Sequence, residues 1–163
     1  RSRDARPSKK ESTVTEMTIQ TTIDIDAPAT AAWALLGEGF GEWARWAPGI
    51  DRSTLQGPLA EGVLRVNEAP SLGTVTQKLV RFDADARALA YEMVEGLPPF
   101  FSSVRNDWVI EEVGPEKSRL VGDARFVLKD EAVPMQPKLE GKMGMALAVF
   151  AQAARDTLEG TVS

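Results

Sequence analysis

Gln77, Tyr91, Ser102 and Asn106 are uncharged polar residues, each in step with large apolar neighbours on a stretch that alternates like a β-strand. Alternation sends every second side chain to the same face. Over residues 100–110 the face carrying Trp108 also carries Phe100, Ser102, Val104, Asn106 and Ile110, and Arg105, Asp107 and Glu111 fall on the other. Over 89–95 it holds Leu89, Tyr91 and Met93; over 75–79, Val75, Gln77 and Leu79; over 118–128, Leu120, Gly122, Ala124, Phe126 and Leu128. A mostly apolar surface with a few hydrogen-bonding groups is the composition of a small-molecule pocket. Its chemistry would be to orient a ligand's oxygen atoms, or to move a proton through Tyr91 or a water held by Asn106. Each member also has a plainer role. Trp108 can fill a core, Asn106 can satisfy a neighbour or a buried water, and Tyr91 can turn its hydroxyl to solvent. A bulge would swap the faces.

What is missing narrows the chemistry further. The chain of 163 residues has no histidine and no cysteine. That removes the commonest general base, the commonest transition-metal ligand, Ser-His and Cys-His pairs, thiolate sites and disulfides. No metal and no cofactor is expected, and the lack of cysteine fits a reducing cytoplasm. Asp107, Glu111, Glu112 and Asp123 could form an acid/base pair on paper. The alternation puts Asp107, Glu111 and Asp123 outside, so they read as solvated sheet charges.

The net charge of −5 and the scattered basic residues leave no footprint for nucleic acid. No apolar run approaches the ~20 residues of a membrane span. At 43% apolar and 26% charged, the composition is that of an ordinary globular chain, long enough for one well-filled domain. Residues 1–16 are too polar to offset their ordering entropy, which predicts a flexible leader and a single domain over 17–163. Oligomeric state stays open.

The elements that must position the polar face follow in order. Residues 17–26 form a strand with Ile19, Thr21, Ile23 and Ile25 on one side. Asp26 is a candidate cap for a short helix over 29–36, with Pro28 in its first turn. A second short helical turn over 41–47 carries Trp43 and Trp46 on one face, as a plug for one end of the sheet or an aromatic lip. Six strands follow, over 50–55, 62–68, 73–82, 88–95, 101–113 and 118–129, joined by short turns in an antiparallel meander. Residues 130–137 read as a loop. The one long helix runs from Pro137 to Gly160, its stripe being Leu139, Met143, Ala146, Leu147, Phe150, Ala154 and Leu158. Gly141 and Gly144 loosen its first half, as a gate for ligand or as room for a neighbouring loop.

Asp26-Ala27-Pro28, Trp33 and Trp46-Ala47-Pro48-Gly49 resemble the opening of the polyketide cyclase/dehydrase family, part of the START-like, or birch-pollen-allergen-like, superfamily. The resemblance continues through Phe82-Asp83, Leu89-Ala90-Tyr91-Glu92 and Leu97-Pro98-Pro99-Phe100, and covers roughly Thr18 to Gly160. It implies an α+β helix-grip fold, an antiparallel sheet of about seven strands wrapped around the C-terminal helix. The fold hosts carriers, sensors and enzymes alike. The first expectation is a cavity between sheet and helix that binds a small hydrophobic or aromatic molecule, lined by Gln77, Tyr91, Ser102, Asn106, Trp108, Phe126, Leu139 and Met143. A metal-free cyclase or dehydratase is the second, and a protein-interaction module with a collapsed cavity the third.

Overall fold

The isoleucines of the first strand need an apolar partner surface, and the last strand supplies the other half of it. In the computed structural model, which describes residues 14–160, β1 (Thr15–Ile25) pairs antiparallel with β7 (Lys117–Leu128) along its whole length, from Thr15 opposite Leu128 to Ile25 opposite Ser118. Between them lie β2 (Arg52–Leu55), β3 (Leu64–Ala69), β4 (Gly73–Asp83), β5 (Ala88–Glu95) and β6 (Phe101–Gly114). The seven strands form one antiparallel sheet in the order β1-β7-β6-β5-β4-β3-β2. The leader expected over 1–16 lies outside the described residues except for its last three, of which Thr15 and Glu16 already belong to β1.

After β1 comes α1 (Ala29–Trp33), a π-helical turn over Ala34–Glu38 and a 3₁₀ turn over Phe40–Arg45. The π turn wraps around Trp33, whose indole occupies the space a side chain on Gly37 would need. Asp26 does not cap α1. Pro28 is the N-cap residue, and Asp26 binds Lys117 Nζ at 2.6 Å while its backbone N–H donates to Glu159 Oε2. A cationic partner in reach outcompetes an amide dipole.

The long helix, α2 (Gln136–Glu159), ends on Gly160 in the left-handed conformation at φ 73°, which is why glycine stands there. The loop expected over 130–137 is mostly a 3₁₀ turn, Asp130–Met135, that runs straight into α2. The helix crosses the concave face of the sheet and packs most closely on β1.

The core divides in two. Under the short helices Trp33, Leu36, Phe40, Trp43, Tyr91, Trp108 and Leu120 pack with Ala151 and Ala154 of α2. Under the start of α2, Met17, Phe101, Val104, Ala124, Phe126 and Leu128 pack with Leu139. Burying one such side chain contributes about 1.5–3 kcal/mol. The exposed ion pairs of the outer face, such as Arg119–Asp24 at 2.7 Å, are screened by solvent and contribute far less. Burial of the inner face therefore decides the fold.

Candidate functional site

The structure disperses the eight residues expected to line one cavity. Gln77 reaches a hollow. Tyr91, Trp108, Phe126 and Leu139 face inward but are core, shut off by their neighbours. Asn106 sits on the inner face between Tyr91 and Ala124, half-buried, its amide without a hydrogen bond among the described residues. Met143 is half-buried against the cluster below it. Ser102 is misplaced: it is exposed, and its hydroxyl donates to the carbonyl of Val127 at 3.4 Å. The register shift between Phe101 and Ser103 is the cause, because it puts Phe101 inside where Phe100 and Ser102 were expected.

The residue that organises the inner face was absent from that set. On β3 the inward side reads Arg65, Asn67 and Ala69, in step with buried Val63 just before the strand, with Leu64 and Val66 on the other. Arg65 is 1% exposed. Its guanidinium carbon lies 3.8 Å from the centre of the Phe40 ring and 4.1 Å from that of Trp43, with Tyr91 at 5.1 Å. Arg65 Nη1 donates to the carbonyl of Phe40 at 2.8 Å. Nε donates to Gln77 Oε1 at 3.0 Å, and Nη2 donates to the same oxygen. Asn67 Nδ2 adds a third hydrogen bond to Gln77 Oε1 at 3.0 Å, and Asn67 Oδ1 accepts from Ser53 Oγ at 2.6 Å. The strand register explains the cluster, since Arg65 stands opposite Gln77 and Ser53 opposite Asn67.

Among the described residues no carboxylate pairs with Arg65. Taking a charge out of water costs several kcal/mol. Hydrogen bonds from a charged donor return about 1.5–3 kcal/mol each, and a desolvated cation over a ring about 2 kcal/mol. Neutral acceptors and π faces thus hold the cation in place without cancelling its charge. Burial pulls the guanidinium down to about 10, partly offset by the Tyr91 phenol, so it stays protonated at neutral pH. The Tyr91 phenol is pushed above its ordinary range by burial, and its oxygen accepts from Trp108 Nε1 at 3.1 Å.

The hollow lies beside this cluster, about 300 Å³ in volume. Asn67 and Gln77 form its polar end. Its other walls are Ile50, Ala69, Leu72, Val75, Met93 and Ala146, closed by Pro48, Gly49 and Ser71. Among the described residues no titratable side chain lines it. The amide orientation of Gln77 is fixed from behind. Its oxygen is claimed by Arg65 and Asn67, so the group left for the hollow is the N–H2, which has no protein partner among the described residues. Trp43 and Trp46 lie 5.7 Å apart with tilted rings and both meet the Phe150 ring, and Trp43 plugs the sheet end as a core residue. Among the described residues no group of His, Cys, Asp and Glu is placed to hold a metal ion, and no helix is long and apolar enough to cross a membrane.

A strand, short helices, six strands and one long helix over the concave face define the helix-grip, or birch-pollen-allergen-like, fold. Solved structures share it. Norcoclaurine synthase from Thalictrum flavum, in complex with dopamine and hydroxybenzaldehyde, superposes with a TM-score of 0.74 at 16% identity, over 99% of both chains. A protein from Thermobifida fusca gives 0.73 at 27% identity, over 86% of this chain and 92% of that one. XoxI from Bacillus cereus gives 0.73 at 17% identity, over 86% and 94%. Among curated proteins none matches significantly. The profile of the polyketide cyclase/dehydrase and lipid transport family matches residues 16–161, and the chain belongs to that family.

Proposed function

We propose that this protein binds a small, largely apolar molecule in the hollow between β3, β4, β5 and α2. The carrying observation is the division of that hollow into apolar walls and one polar end, Asn67 and Gln77. Such a division orients an amphiphilic guest, because a misplaced polar group would lose its hydrogen bonds. Binding is favoured over catalysis because no described residue of the wall is titratable, and proton transfer needs such a group within hydrogen-bond reach. A cyclase-type activity would rest on shaping the substrate and polarising an oxygen beside Arg65.

The test uses a neutral naphthylamine dye that brightens in apolar surroundings, together with native mass spectrometry of the purified protein. The dye should bind with one-to-one stoichiometry, and a co-purified small molecule should leave on denaturation. Ala146 is exposed on α2 at the rim, so Ala146→Trp should stopper the hollow and abolish dye binding without lowering Tm. Undiminished dye binding by that variant would place the dye elsewhere and reject the reading.

A further inference from the structure

Counting donors and acceptors around Arg65 exposes an imbalance. The guanidinium carries five N–H groups, and the Asn67 and Gln77 amides carry two each. Against these stand four acceptor oxygens, those of Phe40, Gln77, Asn67 and Tyr91, the last already accepting from Trp108. Gln77 Oε1 takes three hydrogen bonds by itself, and Ser53 takes one of the two lone pairs of the Asn67 oxygen. The polar end of the hollow therefore holds more donors than acceptors, and the Gln77 N–H2 faces it with no protein partner among the described residues. Behind those donors lies a buried positive charge with no anion beside it among the described residues.

Resting on the binding reading above, we infer that the natural ligand carries an oxygen anion, a carboxylate or an enolate-type oxygen on an apolar body, and that Arg65 selects it. Arg65 acts as a positioning residue. It turns the Gln77 amide so that N–H2 faces the hollow, and it supplies a positive field that a low-dielectric wall screens poorly. The anion brings lone pairs to surplus donors and charge to an unpaired cation, so both imbalances close together.

Three probes of one shape separate the terms by calorimetry on the full chain: 2-naphthoate, 2-naphthamide and 2-methylnaphthalene. Naphthoate should bind at least about tenfold tighter than naphthamide, a difference of about 1.4 kcal/mol. Gln77→Glu gives Arg65 a carboxylate of its own and should reverse that ratio while keeping or raising Tm. Equal binding of naphthoate and naphthamide by the wild type overturns the anion inference and leaves the binding reading standing. So does an unchanged ratio in Gln77→Glu. Failure of all three probes to bind rejects the binding reading and the inference with it. A readout on the wild type alone covers the case of a variant that does not fold. A nitrophenol, whose visible absorption reports its ionisation, should ionise at lower pH when bound than when free. An unchanged or higher titration point overturns the inference.

Discussion

The two halves of α2 rest on the same sheet in different ways. The C-terminal half is anchored. Ala151 and Ala154 are buried, and the Phe150 ring lies 5.0 Å from each of Trp43, Trp46 and Trp108. The N-terminal half has one buried side chain, Leu139, and beyond it Met143 is half-buried and Met145 is 67% exposed. A methyl on Gly141 would meet nothing within 4 Å, and one on Gly144 would meet only Ile19, at 4.0 Å. Ala146, where the halves join, is the helix's contribution to the hollow. An anchored half keeps the helix on the sheet while the loosely held half can shift at a lower free-energy cost. Of the two readings of the glycines, room for a neighbouring loop has no neighbour to support it.

Truncation tests the contrast most strongly. Phe150→Ala removes a ring held by three others and should cost about 3–4 kcal/mol, measured by urea unfolding. Leu139→Ala should cost about 2 kcal/mol, the low end for such a change, because a loosely packed half relaxes around the gap. Equal losses would erase the distinction between the halves.

The glycines sharpen it next. Gly141→Ala and Gly144→Ala should each stabilise by up to about 1 kcal/mol, since helix propensity improves and no clash opposes it. Amide exchange over residues 140–146 should slow in the double variant, and dye on- and off-rates should fall. A stabilised variant with unchanged dye kinetics would separate looseness from access. A lowered Tm would show that the glycines serve close packing after all.

The smallest effect reads the dryness of the anchored end. Tyr91 is the only tyrosine, so phenolate absorbance reports it alone. Its pKa is raised by burial from 10.0, which means the folded state holds the proton longer than the unfolded one. Stability from this source is complete below pH 10 and is lost as pH rises through the folded value. The absorbance should therefore rise only above pH 10, close to alkaline unfolding. A titration at the ordinary value would mean water reaches the cluster.

Sequence pattern located the elements closely because sheet and helix periods differ so plainly; β5 lies where its alternation put it, over Ala88–Glu95. It misjudged facing in one place and left it undecided in another, each for a physical reason. The bulge at Phe101/Ser103 is a backbone irregularity with no residue-type signal, and it moved Ser102 outside. On β3 and the residue before it both phases contain apolar residues, Val63 and Ala69 against Leu64 and Val66, so alternation could not say which faced in. Burial of Arg65 depends on Phe40, Trp43 and Gln77 arriving from other elements, and no local window contains them. The polar end of the hollow was half legible, through Gln77, and its cationic backing was not.

The pairing of β1 with β7 has a consequence for how the chain is made. Roughly ninety residues separate Ile25 from its partner Ser118, and at ~5–20 residues per second a ribosome needs about 5–20 s to supply them. Through that interval the first strand has no template. Its outward side, Thr18, Gln20, Thr22 and Asp24, is polar, so one face resists pairing with strangers while it waits. The sheet closes last along the seam where the oldest and youngest strands meet. That seam also receives α2, so completion of the sheet and seating of the helix belong to one late step of synthesis.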